Sequence, residues 1–404
     1  MRAVVLAGGE SSRFWPFSGC HKSLLEIMGE PLIVRTINNF PKEIDEVVVV
    51  EPANECVSKV LKEKKLNKEV QFRVQEKPLG MWDAIITGAA DYGDDVIVAS
   101  GHQFSRFATD KLMTGVGTKL LLSKLSNAKG YGVATVKGDF VVGIEEKPKK
   151  SESDLIVNSI YRLSHKFVSA LESSKGDDHY KFERVLSRYL KDHPSEFEII
   201  PKEELPSLKY PWDALSVMER LLEEVKTKSL GEVSESASIT GDVFIDQGAR
   251  IMEGAFVSGP AYIGRGAVVG TSSLVRQSSV EMGSVIGFGS EVARSLVGPG
   301  CALHHSYIGD SVLGKKVWLG FGVVTANRRF DKKEVVARVK NKKCPTGRGH
   351  LGCIVGNGTK VGIGSRIMPG ILLGKDVTIG PSTCVDSNVP DGKRVYVVQK
   401  KVVK

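Results

Sequence analysis

The sequence predicts a chain in two parts, an α/β fold with a mostly parallel sheet followed by a parallel β-helix. Three observations predict it. At 404 residues the chain has room for two or more cores. Its first half alternates short β-branched runs with helical segments. In its second half aliphatic residues recur every six positions.

In the first half, VVLA (4–7), VVVV (47–50) and VIVAS (96–100) lack polar alternation, as strands covered on both faces do. PLIVRTINNF (31–40) reads as a helix, with Pro31 suited to its first turn. In open α/β sheets ligands bind beyond the carboxyl ends of the strands. That rule places the loop in VVLAGGESSRFWPFSGCHKSLL (4–25) in the binding crevice. Arg13 and Lys22 stand nine residues apart there, and two cations on such a loop point to a polyanion.

A helix ends near Val225, and KTKSLGEVSESAS (226–238) reads as a linker. From Ile239 the aliphatics run Ile245, Ile251, Val257, Ile263, Val269, Val275. A second phase runs Val355, Val361, Ile367, Leu373, Ile379, Val385. A helix would space them three and four apart and a simple strand two apart. A period of six with glycine beside the aliphatic (YIG, VVG, TIG) is the pattern of hexapeptide coils, each burying the next one's face. Residues 326–353 break the repeat and carry nine cations, a basic loop thrown out of one coil. It reads either as part of a binding face or as a solvated loop.

The composition is that of a globular protein, with 25% charged and 41% hydrophobic residues. No apolar run reaches the ~20 residues of a membrane span, and MRAVVLAGGESSR lacks the pattern of a signal peptide, so a cytoplasmic protein is expected. Six cysteines without a CxxC pair give no zinc ribbon or disulfide framework, and free buried thiols are expected. Residues 1–230 hold 33 Lys+Arg against 34 Asp+Glu, and residues 231–404 hold 23 against 13. The net +9 therefore belongs to the second half. Without interleaved aromatics or a binding module, nucleic acid ranks below a small anionic ligand.

The chain resembles the sugar-1-phosphate nucleotidylyltransferases with a C-terminal left-handed β-helix. The likest group is the archaeal and bacterial sugar-1-phosphate uridylyltransferase/amino-sugar acetyltransferases, and mannose-1-phosphate guanylyltransferases share the first half. Leu6, Ala7, Gly8, Gly9, Glu10, Ser11, Ser12 and Arg13, then His21-Lys22, match that family's L-A-G-G-x-G-[ST]-R and P-K. QEKPLGMWDAI (75–85), KGYGVATV (129–136), EEKPKK (145–150), VNSIYRL (157–163) and YPWDAL (210–215) match further motifs in order. The resemblance implies a Rossmann-like nucleotidyltransferase domain over 1–225, the linker 226–238, and the left-handed β-helix, acyltransferase-like, over 239–404. It also implies that a sugar 1-phosphate attacks the α-phosphate of a nucleoside triphosphate and releases pyrophosphate. Loop amides of Leu6, Ala7, Gly8 and Gly9, with Gln75 and Gly80, would take the nucleotide. Arg13 and Lys22 would offset pyrophosphate charge; Glu146, Lys147 and Asn158 would meet the sugar phosphate. Asp213 would hold Mg²⁺ or another divalent ion. A homo-oligomer through the β-helix, a trimer or a multiple of one, is implied as well.

Several positions depart from the family. The metal-binding Gly-Asp pair has become Gly101-His102. An imidazole suits Mn²⁺, Co²⁺ or Zn²⁺ better than Mg²⁺, so His102 reads either as a ligand for such an ion or as a relic. Ser11, His21, Trp82 and Ser159 replace a glycine, a proline, a small residue and a glycine. LHHSYIGD (303–310) resembles the acetyltransferase string, with His304 or His305 at the general base and Tyr307 and Asn327 on matching positions. There acetyl-CoA would be the cofactor. Ala293 stands for a lysine with Arg294 adjacent, while Trp318 and Phe321 add bulk. Two further readings follow: a non-catalytic paralogue that binds a nucleotide-sugar, and an acetyltransferase working only in the β-helix.

Overall fold

The computed structural model describes residues 1–19, 21–125, 128, 130–148, 153–398, 400 and 402. Two compact units divide the chain. The first holds Met1–Glu10, Ser23–Leu25 and Pro31–Pro206; the second holds Ser11–Lys22, Glu26–Glu30 and Ser207–Lys404.

In the first unit β1 (Arg2–Leu6) precedes α1 (Leu32–Asn38); the short β2 (Glu26–Ile27) and Glu30 of β3 (Glu30–Pro31), between them in sequence, belong to the second unit. There follow β4 (Glu46–Pro52), α2 (Cys56–Leu61), β5 (Glu69–Gln75), α3 (Met81–Ala89), β6 (Val96–Ser100), α4 (Arg106–Leu112) and β7 (Lys119–Lys124). Then come β8 (Gly132–Lys137), β9 (Phe140–Glu146), β10 (Leu155–Leu163), α5 (His165–Ser173), α6 (Lys181–Asp192) and β11 (Ser195–Ile199). The sheet order is β5-β4-β1-β6-β10-β7-β11-β9-β8. β5, β4, β1 and β6 run parallel, as do β7 and β11, whereas β10 runs antiparallel to β6 and β7. Alternate residues serve opposite faces: Val4, Val48 and Val50 pack into one cluster, Ala3, Val5, Val47 and Val49 into another. Two buried faces explain why these strands show no polar alternation.

The second unit contains α7 (Asp213–Leu222) and the coils that follow it. Short strands form three parallel sheets of eight, nine and eight strands, in which each strand pairs with the equivalent strand of the next coil. This is the left-handed parallel β-helix of the expected class. Twelve of the thirteen lattice aliphatics are buried in its core, and Ile239 packs against it. Between Val275 and Leu319 the inward residues are Val280, Ile286, Val292, Val297, Leu303, Ile308 and Leu313, at steps of five as well as six. The shortened corners hid these coils from a strict six-residue count. Residues 226–238, expected as a linker, carry the first coil's strands Lys228–Ser229, Glu232–Val233 and Ser238–Thr240, which pair with the next coil. Polar character misled there because a terminal coil has a neighbour on one side only.

The basic segment forms a hairpin, Val336–Val339 with Lys342–Pro345. Val335, Ala337 and Val339 are buried, so it is a packed element and not a solvated loop. The cysteines also depart from expectation. Cys301 and Cys353 are buried free thiols, but free Cys384 is exposed, Cys344 is half-buried and Cys56 is disulfide-bonded. Spacing in sequence carries no information on such pairing, and Cys20 lies outside the described residues.

Candidate active site

At the carboxyl end of β1 the chain turns through Ala7, Gly8 and Gly9. The Ala7 amide donates to Val50 O at 2.8 Å, and Gly101, following β6, donates to Leu6 O at 3.1 Å. A Cβ on Gly8 would run into the Gln75 side chain, so only glycine lets that side chain lie across the turn. Gln75 Nε2 in turn donates to Gly80 O at 3.1 Å and Asp83 Oδ2 at 2.8 Å. Gly80 has φ 134°, and a Cβ there would stand 3.3 Å from His179 O. The structure thus joins Gly8, Gln75 and Gly80, the expected nucleotide side. Trp82 is buried, with the Lys181 ammonium 3.9 Å from its ring centroid.

The sugar-side residues are placed individually in the same unit. Lys147 has φ 49°, its Nζ is 2.6 Å from Glu146 Oε1, and it lies 4.9 Å from the Tyr180 ring. Asn158 is buried, donating to Leu121 O at 3.2 Å and Ser123 Oγ at 2.9 Å while accepting from Lys202 Nζ at 3.3 Å. Its neighbour Ser159 accepts from Gln103 Nε2 at 3.0 Å. His102 is buried at the end of β6. Lys129, Lys149 and Lys150, within the quoted motifs, lie outside the described residues.

Arg13, Lys22 and Asp213 belong to the second unit. Ser11 adopts φ 51°, a left-handed conformation that costs a non-glycine residue about 1 kcal/mol. Its hydroxyl accepts from the Lys22 amide at 3.0 Å, closing the loop on itself. Lys22 Nζ donates to Leu208 O at 2.7 Å. Burial pushes this ammonium down to about 8, Asp213 opposes that, and Arg13 and Lys209 add to it. His21 is buried beside it, and burial with the Lys22 charge takes its imidazole down to about 3, so it stays neutral. Asp213 Oδ2 accepts from the amides of Lys209 at 2.6 Å and Tyr210 at 2.8 Å. Burial raises its carboxyl all the same, against those two bonds and the charges of Lys22 and Arg348. Lys22 and Arg348 therefore act on the Asp213 carboxylate, and Arg13 and Lys209 act on Lys22. Such a concentration of positive charge, three of the four cations half-buried and Arg13 exposed, is what a phosphate chain neutralises. Lys209 and Arg348 carried no sequence motif.

Among the described residues no three His, Cys, Asp or Glu side chains cluster as a ready metal site. A single carboxylate still suits an ion that takes its remaining ligands from phosphate oxygens and water, which is how Mg²⁺ is commonly held. Asp213 fits that role; the His102 imidazole offers a hard ion no anionic oxygen.

On the β-helix Asn327 Nδ2 donates to Tyr307 Oη at 3.2 Å and Asp310 Oδ2 at 2.6 Å. Arg294 grips the same carboxylate through Nε and Nη2, both at 2.7 Å. His304 is exposed, its ring 6.0 Å from Trp318. His305 stacks 4.8 Å from Phe321 and 5.9 Å from Phe288, and its Nδ1 lies 3.2 Å from Phe288 O. A carbonyl only accepts, so Nδ1 holds the proton and Nε2 is left as the acceptor.

Comparison with known proteins gives the family. A family described as nucleotidyl transferase matches residues 2–222. The "Bifunctional protein GlmU" of Methanococcus maripaludis is 33% identical over 421 residues, spanning 100% of this chain and 99% of the relative. The "Bifunctional sugar-1-phosphate nucleotidylyltransferase/acetyltransferase" of Sulfurisphaera tokodaii is 31% identical over 407 residues, 97% of this chain and 99% of the relative. The "Glucose-1-phosphate thymidylyltransferase" of Streptomyces antibioticus is 26% identical over 348 residues, 82% of this chain and 90% of that one. The loop, Arg13, Lys22, Lys209 and Asp213 thus lie within a matched segment that makes up more than half of the sequence, and this chain belongs to the nucleotidyl transferase family.

Proposed function

We propose that the protein joins a nucleoside triphosphate to a sugar 1-phosphate, releasing pyrophosphate. The reading rests on the Lys22 ammonium, half-buried beside Asp213 with Arg13 and Lys209 around it, on a segment matching the family. The sugar phosphate is ionised before it reacts and needs no general base. Its oxygen attacks the α-phosphorus in line as the bond to the β-phosphate breaks, and the electron pair leaves with pyrophosphate. Arg13 and Lys22 balance the charge that builds on the departing group. Amides of the Leu6–Gly9 turn, Gln75 and Gly80 take the nucleotide, and Lys147, Glu146 and Asn158 the sugar phosphate. Asp213 holds the divalent ion that accompanies the triphosphate. The ion supplies charge neutralisation at the phosphate oxygens. By this reading residues 1–225 catalyse, in the cytoplasm, in a homo-oligomer built through the β-helices. Support for the oligomer comes from the exposed Phe288, Trp318, Phe321 and Ile363 on the coils.

A second reading, acetyl transfer from acetyl-CoA to a sugar amine, is favoured by His305. Its carbonyl partner fixes the tautomer that a general base requires, and His304 has no such contact among the described residues.

The test is a panel of triphosphates, sugar 1-phosphates and divalent ions read by pyrophosphate release. Turnover with at least one combination is expected. Silence throughout, with tight nucleotide-sugar binding, would replace the reading with a regulatory one. Thiol release from acetyl-CoA, abolished in His305→Ala and kept in His304→Ala, would establish the second activity.

A further inference from the structure

The basic insertion has no place in the chemistry above, yet its contacts lead to the same carboxylate. Arg348 follows the hairpin and is braced from both sides. The Val335 amide donates to its carbonyl at 2.8 Å, and its own amide donates to Thr346 Oγ1 at 3.3 Å. Its guanidinium forks onto α7. Nη1 and Nη2 reach the two oxygens of Glu219 at 3.0 and 2.9 Å, and Nη2 also donates to Ser216 Oγ at 2.8 Å. Asp213, Ser216 and Glu219 recur every three residues and so share one face of that helix. Cys344, in the second strand of the hairpin, also acts on Tyr210, whose amide is one of the two that hold Asp213. Arg348 thus grips the helix whose first residue is the carboxylate-bearing Asp213.

We propose that Arg348 is a positioning residue for nucleotidyl transfer: the β-helix insertion, through this fork, fixes the first turn of α7 and with it Asp213. The inference rests on the proposed reaction, in which Asp213 carries the ion of the triphosphate. Planar forks of this kind hold both distance and angle, which a single lysine contact does not. With the fork gone, α7 loses its charged tie to the insertion on the face that carries Asp213. The carboxylate then meets its ion in a wider range of geometries.

The experiment compares full-length wild type with Arg348→Ala, Arg348→Lys, Glu219→Gln and the double variant Glu219→Gln/Arg348→Ala. Lys340→Ala, an exposed cation elsewhere in the hairpin, is the control. Two readouts are used: calorimetric titration with magnesium pyrophosphate, and KM and kcat for the triphosphate. Arg348→Ala is expected to weaken pyrophosphate and raise KM roughly tenfold, with the melting temperature little changed. Arg348→Lys recovers part of the loss, Glu219→Gln reproduces it, and the double variant is no worse than either single one. Wild-type affinity and KM in Arg348→Ala, or losses that add in the double variant, would overturn the proposal. If Arg348→Ala melts early, Glu219→Gln decides by the same criteria. Pyrophosphate binding without turnover on any sugar phosphate would refute the proposed reaction instead, and the binding arm would still decide the role of Arg348. No pyrophosphate binding by the wild type would overturn both.

Discussion

Lys22 titrates where few lysines do. Burial takes its ammonium from the ordinary 10.5 down to about 8, so between those values the folded chain binds fewer protons than the unfolded one. The penalty for holding this charge is full below about 8, and stability rises as the pH passes from there toward 10.5. Affinity for triphosphate should move the other way, declining through the same range in calorimetric titrations, while Lys22→Arg keeps its affinity there. His102 makes a second prediction at this scale. His102→Asp returns an oxygen ligand and should raise Mg²⁺-dependent turnover relative to Mn²⁺ in a pyrophosphate assay. No gain would place the block elsewhere, at Trp82 or Ser11. The identities of Arg13, Lys22 and Asp213 could be read from motif order. The partners that set their electrostatics, Leu208, Lys209 and Arg348, could not, since those contacts join segments more than a hundred residues apart in number.

The turn between β2 and β3 shows how an element is held from outside its own sequence. Met28 and Gly29 have φ 55° and 76°, both left-handed, as a two-residue hairpin requires. Their amides donate to the buried carboxylate of Glu281 at 2.7 and 2.8 Å, and Ser279 Oγ adds a third bond at 2.6 Å. Glu281→Ala leaves two donors without their acceptor, at a cost of about 1–3 kcal/mol each. Glu281→Gln should do little better, because its amide NH₂ faces one of the same donors. A lowered melting temperature and faster amide exchange over residues 26–31 are expected for both variants. Unchanged exchange would show the carboxylate to be incidental. Nothing in SVEMG marked Glu281 for this task, since a carboxylate in a coil corner normally faces water.

Across the whole molecule, what could be read in the sequence tracked periodicity. Six-residue spacing exposed the β-helix because each coil repeats one environment, and the buried lattice from Ile245 to Val275 agrees. The first half was legible as strands with two covered faces, but the antiparallel placement of β10 depends on long-range pairing that no local run records. Because each coil touches only its neighbours, a cavity in the β-helix should act locally. Val292→Ala, in the middle of the stack, is expected to cost about 2 kcal/mol and to speed exchange in the coils on either side. Val385→Ala, near the end of the stack, should cost less and disturb one side only.

The most direct measurement is steady-state pyrophosphate release by the wild type and Lys22→Ala, on the best triphosphate and sugar 1-phosphate found. A half-buried ammonium beside Asp213 that balances the leaving group predicts a fall in kcat of about 10²–10³-fold, with an intact melting curve. A Lys22→Ala protein that turns over at the wild-type rate would contradict the account.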